Sequence, residues 1–181
     1  AMAKSSLKGN QLLLRFVFRF APIQQARTLA SILLSISAAN SGSVNKRILD
    51  VGTGSGVLPF VLSLAKRSYT LGIDPFLTTE KSKEHFALRQ ASVLDIREKF
   101  DLILYSTPPI TFTRLISKTK KRTSAKTYLL LKDIFPQNAV DLGYFRVDSF
   151  LHRYFSMVEK KLYRISDKIG CMSPANVDYL V

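Results

Sequence analysis

The segment Ile48–Val57 constrains the fold of this chain more than any other part of the sequence. Its apolar residues predict a buried strand with Asp50 near its end, and Gly52, Gly54 and Gly56 then lead into an apolar helical pattern. Glycine lets the backbone turn sharply and approach a ligand with no Cβ in the way. The start of a helix adds free N–H groups beside the turn. The segment therefore predicts a ligand-binding turn between a strand and a helix.

The spacing of these glycines separates two classes of ligand. A dinucleotide fingerprint has its third glycine inside the helix, where this chain has Val57 and Leu58. An acid two residues before the first glycine suits a cationic ligand better than a pyrophosphate. The segment closely resembles motif I of the class I (Rossmann-like) S-adenosylmethionine-dependent methyltransferases. The alternative is a purely structural turn in which Ser55 caps the helix.

The resemblance implies S-adenosylmethionine as cofactor, with Asp50 beneath its methionine ammonium. At the end of the second strand, Asp74 matches the acid that takes both ribose hydroxyls in that family, and Pro75 follows it. Ser92 aligns with the residue that accepts the adenine amino group, whereas Asp95 is either an adenine contact or a loop acid. The resemblance assigns these residues to cofactor binding: Asp50, Gly52, Thr53, Gly54, Gly56, Asp74, Pro75 and Ser92.

Strand and helix patterns alternate after residue 46, which predicts a parallel sheet with helices on its faces. The fold class is α/β: a Rossmann-like, seven-stranded, mostly parallel sheet with an antiparallel C-terminal hairpin. We expect strands at 47–51, 69–73, 86–90, 100–105 and 127–131, with Leu162–Ser166 and Val177–Val181 as the hairpin. Helices are expected at 56–67, 78–84 and 148–161.

The length of 181 residues suits one domain. We predict an N-terminal extension at 1–22, with strand-like alternation over 11–20, and a methyltransferase domain at 23–181 that opens with a helix at 23–38. No acid precedes Asp50, and Arg and Ser are frequent there, as in a mitochondrial transit peptide. The cytoplasm is the preferred location because 11–20 also has the pattern of ordinary structure. No apolar run is long enough to predict a membrane span.

The strand expected at 100–105 leads into Thr107-Pro108-Pro109-Ile110. This resembles motif IV of amino methyltransferases, in which Asn, Asp or Ser precedes two prolines and an aromatic residue. The resemblance implies that Thr107, Pro108 and Pro109 hold the target nitrogen, with catalysis mostly by positioning. Thr107 replaces the usual first residue of this motif, and Ile110 replaces the aromatic residue. Phe112 or Tyr105 is therefore the candidate ring that would stack on the flat target group. The alternative is a proline pair that only ends a strand.

Lys and Arg outnumber Asp and Glu by 27 to 13, which gives a formal charge of +14. Such a surplus in a small domain predicts a polyanionic partner, most often nucleic acid. No acid lies between Asp101 and Asp133, and this stretch follows the predicted active loop. The candidate substrate contacts are Phe112, Arg114, Lys118, Lys120, Lys121 and Arg122. The alternative is a solvated helix face.

These observations predict an S-adenosylmethionine-dependent N-methyltransferase that acts on an rRNA or tRNA base, with DNA less favoured. Two alternatives stay open: a protein methyltransferase of the release-factor glutamine type, and a non-catalytic RNA-binding pseudo-methyltransferase. The single Cys171 excludes a multi-cysteine zinc site, and no metal is expected. The sequence does not say whether a small protein partner is needed.

Overall fold

The computed structural model describes residues 46–63, 68–107, 110–171 and 174–180. The predicted extension at 1–22, the strand at 11–20 and the helix at 23–38 lie outside the described residues. Contacts within the chain divide it into two units, the first ending at Gln90 and the second beginning at Ala91.

The described part of the first unit contains four strands and one helix: β1 (Lys46–Val51), α1 (Val57–Ser63), β2 (Ser68–Ile73), β3 (Lys81–Ser82) and β4 (Phe86–Arg89). β2 pairs in parallel with β1 and with β4. The last four residues of both β1 and β2 are buried, as expected for interior strands of a parallel sheet covered on both faces. Ile48, Leu49 and Leu71 are among the fully buried side chains of this core.

Within its described residues, the second unit contains three strands, four α-helices and a 3₁₀ turn at Ile110–Phe112. Its elements are β5 (Leu102–Ser106), α2 (Thr113–Thr123), β6 (Lys126–Leu131), α3 (Gln137–Asp141), α4 (Phe150–Ile165), β7 (Lys168–Cys171) and α5 (Pro174–Leu180). β6 pairs in parallel with β5 and with β7. Ile103, Leu129 and Leu162 are fully buried in its core.

The sheet has seven strands in the order β3-β4-β2-β1-β5-β6-β7. The predicted fold class, an α/β protein with a mostly parallel seven-stranded sheet, is confirmed. The single antiparallel pair among the described strands is β3 with β4, at the edge of the sheet. No described helix is long and apolar enough to cross a bilayer.

The predicted C-terminal hairpin is wrong. The segment Leu162–Ser166 was expected to be a strand, but α4 continues through Ile165 because the buried Leu162 extends its apolar face by one more turn. The last strand is instead Lys168–Cys171, parallel to β6. Residues 177–180 belong to α5, which begins at Pro174, a residue favoured in the first turn of a helix.

The predicted short helix at 78–84 is also wrong. Residues 78–84 are all exposed, so no apolar face is available to hold a helix against the core. Two of these residues, Lys81 and Ser82, form the edge strand β3.

Candidate functional site

The glycine turn between β1 and α1 adopts a conformation that L side chains rarely adopt. Gly52, Gly54 and Gly56 have φ angles of 75°, 54° and 75°. The N–H groups of Gly52 and Thr53 both donate to the carbonyl of Ile73, at 2.9 and 3.1 Å. The turn is therefore fixed to the carboxyl end of β2, the position at which open parallel sheets bind ligands.

Close packing beneath the turn explains the glycines at positions 56 and 72. A Cβ added at Gly56 would overlap the side chain of Leu88. A Cβ added at Gly72 would lie 2.6 Å from Thr53 Oγ1 and 2.7 Å from Pro59 Cγ. The absence of side chains at both positions lets the turn and α1 lie close to β2 and β4.

Asp74 connects the end of β2 to the glycine turn. Its Oδ2 accepts a hydrogen bond from the N–H of Gly54 at 3.1 Å, and its Oδ1 accepts one from the N–H of Phe76 at 2.9 Å. Each carboxylate oxygen has two lone pairs, so one remains on each oxygen for a ligand. Two parallel acceptors held in this way match the two hydroxyls of a ribose.

A cleft of about 450 Å³ opens beside this carboxylate. Phe76 presents a flat apolar surface there, with 87% of the residue exposed, and Lys81 adds a cation. The lining residues are Gly54, Ser55, Asp74, Phe76, Leu77, Thr78, Thr79, Lys81 and Leu88. The cleft therefore combines a carboxylate, an aromatic face and a glycine turn with no Cβ at Gly54.

Of the cofactor candidates in the first unit, Gly54 and Asp74 line this cleft, whereas Asp50 and Pro75 do not. Asp50 is buried near the end of β1, where 5% of the residue is exposed. Pro75 is exposed directly after Asp74. The sequence analysis did not identify Leu77, Thr78, Thr79 and Lys81 as lining residues, and it assigned residues 78–84 to a helix. These residues follow soon after Asp74, the candidate ribose acid, and this position in the sequence could have identified them as lining residues.

In the second unit, Ser92 and Asp95 form a tight turn with each other. Asp95 Oδ2 accepts from the N–H of Ser92 at 2.9 Å, and the N–H of Asp95 donates to the carbonyl of Ser92 at 3.0 Å. This is the local bonding expected of a loop acid. An adenine contact by either residue stays a prediction.

Thr107 is buried, with 1% of the residue exposed. Its Oγ1 accepts hydrogen bonds from the N–H groups of Lys132 and Asp133, at 3.1 and 3.3 Å. Both lone pairs of the hydroxyl are therefore occupied, and the side chain fastens the end of β5 to the end of β6. Pro108 and Pro109 lie outside the described residues.

The two candidates for stacking beside this loop differ in exposure. Tyr105 is 1% exposed, and its hydroxyl lies 2.6 Å from Ser166 Oγ. Burial raises the pKa of Tyr105 to about 12, with the hydrogen bond to Ser166 acting in the opposite direction. This ring is part of the core and cannot stack on a substrate. Phe112 is half-buried in the 3₁₀ turn.

The basic segment forms most of the amphipathic helix α2. Ile116 and Thr119 are buried on one side. The other side presents four exposed cations at the i, i+4, i+7, i+8 spacing of one helix face, which we call the basic stripe: Arg114, Lys118, Lys121 and Arg122. Among the described residues, no salt bridge connects the stripe to an acid.

Lys120 does not belong to the basic stripe. Its Nζ donates to a carboxylate oxygen of Asp167 at 2.8 Å and to the carbonyl of Ile165 at 2.9 Å. The same carboxylate accepts from the N–H and the hydroxyl of Thr127. Lys120 therefore ties α2 to the segment between α4 and β7. Sequence analysis alone could not separate it from its neighbours, because Asp167 is distant in the chain.

Comparison with known proteins gives structural likenesses but no match in sequence. No protein-family model matches the chain, and no curated protein matches it. The plantazolicin methyltransferase BpumL, in complex with a pentazolic desmethylPZN analog and SAH, aligns over 92% of this chain and 65% of its own. Its identity is 14% and its TM-score 0.49.

Two other solved structures align over less of this chain. A cyclopropane-fatty-acyl-phospholipid synthase-like protein from Lactobacillus casei is 17% identical, with a TM-score of 0.46 over 63% of this chain. The aligned part spans about half of that protein, 54% of its length. The fibrillarin/Nop5p complex is 12% identical, with a TM-score of 0.42 over 64% of this chain and 66% of its own. Likeness at this level says nothing about substrate or activity.

Proposed function

We propose that this chain is an S-adenosylmethionine-dependent methyltransferase that acts on RNA. The proposal rests on the position of Asp74. Its carboxylate accepts hydrogen bonds from the N–H groups of Gly54 and Phe76 and lines the cleft beside the glycine turn. A carboxylate with one free lone pair on each oxygen is suited to a ribose diol, and it would repel a 2′-phosphate.

The residues of the cleft fit the remaining parts of this cofactor. Phe76 offers a ring face to the adenine, and the glycine turn lets a ligand approach its backbone with no Cβ in the way. Asp50, placed near the end of β1, supplies a negative charge for the ammonium group. When bound, S-adenosylmethionine supplies a methyl group activated by its sulfonium. The role of the protein is to position a nucleophile in line with that methyl group.

For the substrate, the proposal rests on the basic stripe. Four exposed cations on one face of α2 form a surface that attracts the phosphates of a polyanion. Such contacts orient a nucleic acid without reading its sequence. α2 begins four residues after Pro109. We therefore propose that Thr107-Pro108-Pro109 is the active loop and that the basic stripe binds the phosphates of the RNA that enters this loop.

The bonding of Thr107 favours a second candidate, a non-catalytic domain that binds both the cofactor and RNA. An amino group held for methyl transfer needs free acceptors, and the hydroxyl of Thr107 is already occupied by two backbone donors. In the catalytic proposal Thr107 is therefore a positioning residue that fixes the start of the loop. Backbone carbonyls of the loop would then hold the target nitrogen.

Three measurements test these candidates together. Calorimetry with S-adenosylmethionine measures cofactor binding, fluorescence anisotropy with a labelled RNA measures RNA binding, and transfer of labelled methyl groups to total RNA measures activity. Binding with transfer supports the methyltransferase. Binding of both ligands without transfer supports the non-catalytic candidate. A folded protein that binds neither S-adenosylmethionine nor S-adenosylhomocysteine contradicts both.

A further inference from the structure

Helix α4 exposes aromatic and cationic side chains on the same face. Positions 150, 153, 154, 157, 161 and 164 follow the i, i+3, i+4, i+7 spacing that places residues on one side of a helix, and every one of them is exposed. We call this set the α4 face: Phe150, Arg153, Tyr154, Met157, Lys161 and Arg164. It belongs to the second unit, and the proposed function does not use it.

The apolar part of the α4 face is unusually exposed. The exposed fractions are 83% for Phe150, 48% for Tyr154 and 60% for Met157. Water contact with side chains of this size is unfavourable, and large exposed apolar patches on folded proteins mark binding sites. Leu151, next to Phe150 in the same helix, is also about half-exposed.

The ring of Tyr154 is held in place from below. It contacts Phe155 edge-on, with 5.3 Å between the ring centroids. Phe155 in turn packs against Phe135 at 5.0 Å and Phe145 at 6.2 Å. Tyr154 is therefore an exposed ring fixed on an aromatic cluster, and little conformational entropy remains to be lost when a flat ligand stacks on it.

The charge of the α4 face is entirely positive. Arg153, Lys161 and Arg164 are exposed, and the neighbouring Lys160 is exposed as well. The only acid in the helix is Glu159, which is 2% exposed and accepts a hydrogen bond from the hydroxyl of Tyr163 at 2.6 Å. Phe150 and Arg164 are separated by about 21 Å along the axis, so the surface can contact several consecutive nucleotides.

We propose that the α4 face binds a single-stranded segment of RNA, with bases stacked on Phe150 and Tyr154 and phosphates on Arg153, Lys161 and Arg164. This deepens the proposed function and rests on it for the identity of the nucleic acid. Alternating rings and cations are the means by which proteins bind unpaired strands without sequence preference. A membrane-bound helix would instead separate its cations from its apolar side chains onto opposite faces. Aromatic residues, Met and Arg are enriched at protein interfaces as well, but lysine is depleted there, and this face contains Lys161 with Lys160 beside it.

The test compares ring removal with ring conservation at the same two positions. The double variant Phe150→Leu/Tyr154→Leu keeps apolar area but removes both rings, whereas Phe150→Tyr/Tyr154→Phe keeps both. Fluorescence anisotropy measures binding to a labelled 12-nucleotide oligouridylate and to a duplex RNA of equal length, with no cofactor present. Because stacking contributes roughly fivefold to a hundredfold per base, we expect the leucine pair to weaken single-strand binding about tenfold or more. The ring-conserving pair should bind like wild type, and duplex binding should change little in both.

Three outcomes overturn the proposal. The first is equal oligouridylate affinity for the leucine pair and the wild type. The second is an equal loss for both pairs, since ring chemistry would then not matter. The third is concentration-dependent self-association that Phe150→Glu abolishes, which would make the face an interface between copies of the chain. Since no methyl transfer is measured, a failure here leaves the cofactor proposal standing. Conversely, a protein that fails to bind the cofactor but binds oligouridylate through these two rings would contradict the proposed function and not the role of the α4 face.

Discussion

Lys120 and Asp167 form an ion pair of 2.8 Å in the second unit, between two segments that are 47 positions apart in the chain. Lys120 comes from the last turn of α2, and Asp167 immediately precedes β7. Each side chain is 30% exposed, so the pair is partly shielded from solvent. The carboxylate also accepts two hydrogen bonds from Thr127 at the start of β6. Lys120, which the sequence analysis placed among the candidate substrate contacts, is therefore a structural residue.

The first prediction separates Lys120 from its neighbour Lys121. Lys120→Ala removes the ion pair and the hydrogen bond to Ile165, so we expect a loss of about 1–2 kcal/mol in the free energy of unfolding. Lys121→Ala removes an exposed charge from the basic stripe, and the stability should be nearly unchanged. Urea denaturation followed by circular dichroism measures both. Equal stability of the two variants would contradict the structural role of Lys120.

The second prediction concerns the stability of the protein at low pH. Burial acts to raise the pKa of Asp167, but hydrogen bonds from Lys120 and Thr127 and the charge of Lys120 outweigh it and lower the pKa from 3.8 to about 2. A lowered folded-state pKa gives stability that is present above about pH 4 and is lost as the pH falls toward 2. Allowing for partial exposure, this contribution is about 1–2 kcal/mol.

Asp167→Asn should therefore be less stable than the wild type at pH 6, and the gap should close near pH 2. Denaturation curves at both pH values measure it. A gap of the same size at both would show that the carboxylate charge is not responsible.

The third prediction concerns the cofactor. Asp74→Asn removes the charge but keeps one oxygen for the N–H of Gly54 or Phe76, so the turn should stay folded. Loss of a charge-assisted pair of hydrogen bonds to a ribose should weaken binding of S-adenosylhomocysteine by roughly 1.5–3 kcal/mol. Calorimetry measures the affinity, and Glu80→Gln, at an exposed acid outside the cleft lining, is the control. An unchanged affinity in folded Asp74→Asn would remove Asp74 from the ribose site.

The parts of the fold that the sequence predicted well are those with a strong local signal. β1, β2, β5 and β6 each contain a run of three or more consecutive buried residues, and the turn at Gly52–Gly56 carries its backbone geometry in its glycines. Asp74 could be placed because it ends such a run. In each case the deciding interactions are local or lie within one strand and the turn that follows it.

The parts that failed depend on residues distant in the chain. Segment 162–166 has the composition of a strand, but the packing of Leu162 in the core extends α4 through it. The hydroxyl of Thr107 matches a motif in sequence, yet its bonds to Lys132 and Asp133 depend on the register of β5 against β6. Neither the exposure of Phe150 nor the pairing of Lys120 is visible without tertiary contacts.

The fourth prediction tests Thr107. Thr107→Val preserves the shape of the side chain but leaves the N–H groups of Lys132 and Asp133 without their acceptor, which should cost about 1–3 kcal/mol of stability. Thr107→Ser keeps the acceptor and should lose less. Thermal denaturation ranks the variants, and methyl transfer is measured well below their unfolding temperatures. A valine variant that is as stable as wild type but inactive would instead favour a direct bond to the substrate.

The last prediction concerns the basic stripe. Replacing Lys118 and Lys121 with Ala should weaken RNA binding and reduce the slope of log affinity against log salt by roughly 0.7–0.9 for each phosphate that the protein no longer neutralises. The affinity for S-adenosylhomocysteine should not change, because neither residue lines the cleft beside Asp74. Lys83 and Lys99 are exposed cations outside the stripe, and their double replacement removes the same charge. Salt titrations of RNA binding compare the two double variants. If both lower the slope equally, the RNA responds to net charge alone and α2 presents no defined binding face.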